Sequence, residues 1–251
     1  MTSASDDVLA LDMPVKSQVH TGRFYNLMPA AAPAELEKPE GYVDKGGIVA
    51  FVAGVSAQNK ADVLNSTLLA QLAADKKYNR EKAVMDWYKY YGDVLEKVGW
   101  VIQGYNWSKF QTSKMSFTMD EAVLEIAAAA LTGDETAVIV ATLDALRQLP
   151  KQDGRLQLFN HSATSESEGN FQISVCSETD GSVAMRTMAF FFSAQQQTTD
   201  VLFFSFAGSS TDLTKSVQGQ TLNSQVYATV RNAVLQKLGD NASTFIVNLN
   251  I

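Results

Sequence analysis

Cys176, the only cysteine in the 251-residue chain, is the residue whose side chain is best suited to covalent chemistry. A thiol becomes a nucleophile when a histidine activates it, and the sequence contains two histidines, His20 and His161. His20 lies in a proline-broken stretch and His161 in a polar one, so a Cys176–His161 pair stays an alternative and no catalytic residue is predicted. A free cysteine is also often a small buried hydrophobe, which leaves inert packing open as well.

Other kinds of site find no support in the residue pattern. Ligands are not clustered at the spacings typical of zinc, and the glycines between Gly46 and Gly54 match neither the dinucleotide nor the Walker spacing. The acidic pairs at 120–121 and 134–135 open predicted helices, where negative charge offsets the helix dipole. We therefore predict no metal, and we expect the acidic pairs to be structural.

Charge and hydropathy limit the partners of the chain. Its net charge of -7 disfavours nucleic acid, and it has no basic patch that would hold an anionic membrane. The longest apolar run, GGIVAFVAGV at 46–55, is about half of the ~20 residues that a spanning helix needs. The N-terminal sequence does not have the pattern of a secretory signal. We expect a soluble, cytoplasmic protein without nucleic-acid partners.

The elements that must position Cys176 begin after an unusual N-terminal region. Four prolines between Pro14 and Pro39 interrupt any regular element, so residues 1–45 are predicted to be an extended tail and residues 46–251 a single domain. Apolar spacing predicts helices at 59–76, 81–98, 119–133, 134–149 and about 222–238, with 151–169 as a polar connection. Strands are predicted at 170–178, 183–194 and 200–207, with further strand material at 100–119 and at the C-terminus. This order predicts an α/β or α+β fold, with helices covering a mixed or antiparallel sheet.

The sequence GNFQISVCSETDG places Cys176 in the first strand of a hairpin. Asp180-Gly181 is typical of a two-residue type I′ turn, and this turn sets Cys176 opposite Met185. A three-residue turn would reverse the assignment of faces. With the two-residue turn, the face of Cys176 carries the following residues: Gln172, Ser174, Val183, Met185, Ala189 and Phe191.

The C-terminal third resembles the Evf virulence-factor family. The resemblance lies in NFQISVCSETDG, AFFFSA, VLFFSF and LNSQVYATVRNAVLQKLGDNASTFIVNLNI, and it covers about residues 165 to 251. It implies an α/β fold in which Cys176 carries a palmitoyl thioester. It also implies that the acyl chain lies in an internal hydrophobic tunnel, with palmitate or a similar fatty acid as the bound group.

A tunnel would need space between the sheet and its helices. The candidate lining residues lie either on the strand face of Cys176 or on the alanine-rich helices: Met185, Ala189, Phe191, Ala127, Ala130 and Ala141. Alanines in the runs at 127–130 and 137–145 would leave a slot against the phenylalanine-rich strands. Close helix packing uses alanine equally well and is the alternative.

The resemblance, together with the lack of a match to any catalytic pattern, implies a non-enzymatic, lipid-modified virulence or interaction factor with a fatty acid as its partner. Two alternatives remain: an acyltransferase or thioesterase that uses Cys176, and a protein that binds fatty acid without a covalent bond. A single exposed acyl chain gives only marginal membrane binding, so we expect at most a weak association with membranes.

Overall fold

The computed structural model describes residues 3–14, 38–195 and 198–251, which form one α/β domain. The helices are α1 (Ala4–Leu9), α2 (Ala57–Lys77), α3 (Val84–Lys97), α4 (Met119–Ala130), α5 (Gly133–Gln148), α6 (Gly154–Ala163), α7 (Ser224–Leu238) and α8 (Asn241–Phe245). The strands are β1 (Glu40–Asp44), β2 (Gly47–Phe51), β3 (Trp100–Ile102), β4 (Ser108–Lys109), β5 (Ser116–Thr118), β6 (Thr164–Ser165), β7 (Glu168–Thr179), β8 (Ser182–Ser193), β9 (Ser205–Ala207), β10 (Asp212–Leu222) and β11 (Ile246–Asn248).

One mixed sheet forms the centre of the domain. Its strand order is β11-β1-β2-β7-β8-β10-β3, while β4 also pairs with β10 and β6 with β7. The pairing of β2 with β7 is parallel and the other pairings of this sheet are antiparallel. The fold class predicted from the sequence, a mixed or antiparallel sheet covered by helices, is therefore confirmed, whereas the internal tunnel stays a prediction.

The two faces of the sheet pack against different helices. We call the side that packs against α1, α2, α3 and α7 the Cys176 face, because the thiol points into that layer. The other side, which we call the opposite face, packs against α4, α5 and α6. Side chains alternate between the two layers along each strand, as the pleat of a β-strand requires.

The β7–β8 hairpin has the register that the turn signal predicts. Asp180 and Gly181 adopt positive φ angles of 51° and 76°, and Cys176 is opposite Met185. The two amphipathic helices predicted at 59–76 and 81–98 are present as α2 and α3. The strand predicted at the C-terminus and the helix predicted at about 222–238 are also confirmed, as β11 and α7.

Three local predictions are wrong. The stretch expected to be a polar connection contains α6, which Asp153 caps by accepting a hydrogen bond from the Arg155 amide. Strand β10 was not predicted, and only the last three residues of the strand expected at 200–207 are extended. The α4–α5 boundary also differs, because Thr132 caps α5 through a capping box and Gly133 is already helical.

Residues 1–2 and 15–37 of the predicted N-terminal tail lie outside the described residues. In the described part, α1 packs against α7, and β1 lies in the sheet between β2 and β11. Strand β1 thus joins the sheet before the predicted domain start at residue 46.

Candidate functional site

Strand β7 holds Cys176 near the centre of the sheet. The residue lies between Phe51 of β2 and Met185 of β8, its direct neighbours in register. Its side chain is fully buried in the apolar cluster under α2, α3 and α7. The strand order therefore places the only thiol of the chain in a layer that solvent does not reach, next to bulky apolar groups.

Burial controls the chemistry of this thiol. The loss of solvent raises the pKa of Cys176 far above its ordinary value, and the negative charge of Glu135 raises it further. The thiolate is the nucleophilic form of cysteine, so the folded protein holds Cys176 as a neutral thiol with little reactivity. His161 does not change this, because it is exposed on α6, which packs on the opposite face.

The predicted tunnel residues do not form one group. Met185, Ala189 and the half-buried Phe191 follow one another along β8 on the Cys176 face. Ala127 is buried in the layer on the opposite face. Ala130 and Ala141, on α4 and α5, are partly exposed. The sheet therefore separates the alanine-rich helices from the thiol, and one acyl chain bound at Cys176 would not contact both sets.

Sequence reasoning missed a buried polar region on the Cys176 face. From Met185 towards the far end of the strands, most inward side chains of β7, β8 and β10 are polar and almost fully buried. These residues are Asn170, Gln172, Ser174, Thr187, Thr214, Ser216, Gln218 and Gln220. The i, i+2 spacing of Ser216, Gln218 and Gln220 was the available signal, but it had meaning only once β10 was known to lie inside the sheet.

Part of this region is satisfied by hydrogen bonds. The hydroxyls of Ser174 and Thr187 lie 2.9 Å apart, and Gln220 donates from Nε2 to Thr187 Oγ1 at 2.8 Å. Two tyrosines of α3 cover the other end, where Tyr88 donates to Asn170 Oδ1 at 2.7 Å and Gln172 donates to the Tyr91 hydroxyl at 3.1 Å. Burial raises the pKa of both tyrosines, so their hydroxyls stay neutral.

Other atoms of the region are buried without a partner. Within this region, five of the described residues have such atoms, and we call them the polar cluster: Gln172, Ser216, Gln218, Gln220 and Tyr105. The atoms concerned are the Oε1 atoms of all three glutamines, Nε2 of Gln218, and the hydroxyls of Ser216 and Tyr105. Buried polar atoms in folded proteins nearly always have a partner, so this concentration requires an explanation.

A charged network adjoins the polar cluster at the β1–β2 turn. Asp44 is fully buried and accepts from Thr67 Oγ1 at 2.7 Å and from Gln71 Nε2 at 3.2 Å, while its Oδ1 is unpartnered. Burial raises the pKa of Asp44 to about 7, although hydrogen bonds and the charges of Lys45 and Arg80 oppose the shift. Ionisation of this carboxyl group therefore falls near neutral pH.

Arg80 connects this network to β7. Its guanidinium donates from Nε to the carbonyl of Asn170 at 3.1 Å and from Nη2 to that of Gly46 at 3.3 Å. A Cβ at Gly46 would stand 2.4 Å from Nη1 of Arg80, so glycine is needed for this approach. The guanidinium also lies over the Trp87 ring, 4.5 Å from its centroid, which leaves it fully engaged by protein groups.

Residues 3–14, 38–195 and 198–251 contain neither a metal-binding cluster nor a membrane-spanning helix. No group of three or more His, Cys, Asp or Glu side chains is arranged to hold a metal ion there. None of the helices in these ranges has the length and apolar character that crossing a bilayer requires.

Comparison with known proteins gives similarities of fold at low identity. No family model and no curated protein matches the chain. Among solved structures, a delta-endotoxin is 13% identical with a TM-score of 0.42, over 69% of this chain and 79% of that one. The Evf virulence factor is 12% identical with a TM-score of 0.37, over 81% and 82%. The activated Cyt2Ba monomer from Bacillus thuringiensis subsp. israelensis is 11% identical with a TM-score of 0.37, over 69% and 96%. No function follows from likenesses of this degree.

Proposed function

We propose that this protein is a non-enzymatic, lipid-modified interaction factor of the virulence type, with a fatty acyl group attached to Cys176 as a thioester. The observation that carries the proposal is the placement of the single thiol, fully buried beside Phe51 and Met185. A thioester at this position would be shielded from water, which is the nucleophile that hydrolyses it. The resemblance of residues 165 to 251 to the Evf family supports the same assignment.

The surroundings of Cys176 indicate the direction of the acyl chain. Towards Thr187 the acyl chain would meet buried hydroxyl and amide groups. Methylenes offer these groups no hydrogen bond, so burying the chain against them would be unfavourable. Towards Val183 and Leu222, which are paired across β8 and β10, the layer is apolar. We therefore place the acyl chain at that end, between the sheet and the helices α2 and α7, so that Ala189 and Phe191 lie on the far side of the polar region.

Attachment must take place while the layers are open. Cys176 is inaccessible in the folded domain, and its raised pKa holds it in the unreactive form. In the unfolded chain the thiol has an ordinary pKa near 8.5, so its thiolate can attack the carbonyl of an acyl thioester donor and release the donor's thiol. Once the layers close, each buried methylene stabilises the domain by about 0.8 kcal/mol, so the lipid acts as part of the core.

Intact mass spectrometry of protein purified from its native source tests the proposal. We expect one fatty acyl addition that hydroxylamine removes, and we expect it to be absent from Cys176→Ser. The matched control is Ser177→Ala, the next residue on β7, which points to the other side of the sheet and should keep the addition. Cys176→Ser should also unfold at lower denaturant concentration, because the cavity would be empty.

Each alternative gives a different result in the same experiment. An unmodified mass returns Cys176 to inert packing and overturns the proposal. A fatty acid that separates on denaturation without hydroxylamine identifies non-covalent binding instead. An acyl group that turns over when a thioester substrate is added identifies an acyltransferase or thioesterase, which contradicts a non-enzymatic role.

A further inference from the structure

The unpartnered atoms of the polar cluster lie close together in the strand register. Gln172 of β7 is level with Ala189 of β8, which is level with Ser216 of β10. Two strand spacings separate Gln172 from Ser216, a distance of about 10 Å. The small Ala189 stands between them, so the polar side chains on either side border a position with little side-chain volume.

The sheet edge beside the polar cluster is irregular. Strand β10 pairs with β3 at 220–222 and with β4 at 214–215, and residues 216–219 between them lack a regular partner strand. The β3–β4 connection, residues 103–107, runs beside this stretch without forming a strand, although the Gln103 amide donates to the Gly219 carbonyl at 3.4 Å, and Gly104 adopts a φ of 88° that suits glycine. This irregular segment forms the outer wall of the polar cluster, whose glutamine and serine side chains are almost fully buried.

Aromatic rings complete the wall. Tyr105 and Trp107 stack on each other with centroids 5.5 Å apart, and each lies 4.9 Å from the ring of Tyr88. The Trp107 ring also packs against the Phe191 ring, with centroids 5.6 Å apart. The Tyr105 hydroxyl points inward and approaches the Gln218 side chain, but no hydrogen bond of ordinary geometry joins the two. Flat rings therefore stand next to free amide and hydroxyl groups.

We infer that the polar cluster is a binding site for an uncharged polyhydroxy molecule of monosaccharide size. Its free atoms are three amide oxygens that accept, one amide nitrogen that donates, and two hydroxyls that do both. A ligand hydroxyl also donates and accepts, so about three hydroxyls would satisfy this set. The neighbouring rings suit the C–H faces of a sugar or cyclic polyol.

Charge and polarity disfavour the other ligand classes. The polar cluster contains no cation, and the nearby Arg80 is occupied by two backbone carbonyls and the Trp87 ring, so an anion would be buried without a counter-charge. An acyl chain would leave the amide groups unsatisfied. The site is therefore separate from the apolar end of the face, and the inference does not depend on acylation of Cys176.

Titration with neutral sugars tests the inference. The probes are glucose, galactose, mannose and myo-inositol, with glucose 6-phosphate and glucuronate as charged counterparts of similar shape. Binding is followed by saturation-transfer NMR and by the glutamine side-chain amide signals of labelled protein. We expect at least one neutral probe to bind saturably and to shift those amide signals, and we expect the charged counterparts to bind more weakly.

Matched substitutions locate the binding. Gln218→Met removes two free hydrogen-bonding atoms and keeps a similar side-chain volume. It should weaken the binding of the tightest neutral probe by about tenfold or more. The control Gln236→Met makes the same exchange at an exposed position of α7 and should change nothing. Ser216→Ala provides a second test if Gln218→Met fails to fold.

The contradicting results are equally specific. Saturable binding by none of the neutral probes up to their solubility limits would mean that internal water satisfies the cluster, and the inference would be wrong. Equal binding to Gln218→Met and to the unmodified chain would place the sugar elsewhere and would also overturn it. Binding of the charged counterparts alone would contradict the assigned ligand class.

Discussion

The two faces of the central sheet are built on different principles. On the opposite face, the fully buried side chains of β7 and β8 are apolar, and Phe171, Ile173, Phe190 and their neighbours pack against α4, α5 and α6. On the Cys176 face, an apolar end that contains the thiol adjoins a polar end with unpartnered amides. A fold that needed only stability would have no use for the second arrangement. The comparison is consistent with our proposals, in which one face holds the domain together and the other holds ligands.

The largest expected effect comes from breaking the opposite face. Phe171 is fully buried and stacks on Phe190 with centroids 4.9 Å apart. Phe171→Ala should reduce the free energy of unfolding by about 3–5 kcal/mol, because it leaves a large cavity in a close-packed layer. Urea unfolding measures this loss.

Phe191→Ala is the matched control on the Cys176 face. Phe191 is half-buried and contacts Trp107 at the irregular edge, so its removal leaves a smaller cavity and should cost clearly less. Equal losses for the two variants would mean that both faces contribute alike to stability, which contradicts the division proposed above.

Ionisation of Asp44 should give the next largest effect. Burial raises the pKa of this carboxyl to about 7 in the folded state, above the ordinary value of about 3.9 in the unfolded state. The folded state therefore binds the proton more tightly. The stabilising contribution is fully present below pH ~4, decreases as the pH rises towards 7, and changes little above that, at a rate of up to about 1.4 kcal/mol per pH unit.

Replacing Asp44 with asparagine should remove this dependence. The slope of unfolding free energy against pH between about 4 and 7 should be flatter in Asp44→Asn than in the parent chain. The control is Asp93→Asn on the exposed side of α3, which should keep the parent slope. An unchanged slope in Asp44→Asn would show that this carboxyl does not titrate in the folded protein over that range.

A smaller effect on stability is expected at the part of the polar end whose groups are hydrogen-bonded. Tyr88 donates to Asn170 Oδ1 at 2.7 Å, and both groups are buried. Tyr88→Phe keeps the ring but leaves the amide oxygen without this donor, which should cost about 1–3 kcal/mol in chemical denaturation. A loss well below 1 kcal/mol would indicate that water replaces the tyrosine hydroxyl, and thus that the polar end is wetter than its burial indicates.

The smallest effect on stability is expected within the polar cluster. Gln218 is 3% exposed and makes no hydrogen bond of ordinary geometry, so Gln218→Met loses no such bond and removes two unsatisfied atoms. Without added ligand, the unfolding free energy should stay equal or rise by up to about 1 kcal/mol. A large loss of stability would show that Gln218 is structural, and it would weaken the case for a ligand site.

The sequence predicted the parts of the structure that depend on local chemistry. Asp180-Gly181 determined the turn, and through it the neighbours of Cys176 across the hairpin. Helix α6 escaped prediction because its residues are largely polar, although Asp153 was available as an N-cap. Strand β10 escaped because its buried face carries serine and glutamine, where strand prediction expects apolar or β-branched residues.

The candidate site depends more on tertiary arrangement than these local elements do, and it was therefore harder to predict from the sequence. The polar cluster forms only when β7, β8 and β10 are in register, and the β3–β4 connection must also lie outside them. The sequence predicted that the alanine-rich helices and the strand of Cys176 line one slot. The sheet instead places Ala127 on the other side from Cys176. Periodicity describes one element at a time, so it does not reveal which layer an element joins.

A high-resolution crystal structure of the protein from its native source would test the division of the Cys176 face most directly. The account predicts continuous electron density from Cys176 Sγ towards Val183 and Leu222, and separate compact density bonded to Gln172, Ser216 and Gln218. A bare thiol in a closed apolar layer, or an acyl chain that passes through the polar cluster, would contradict it.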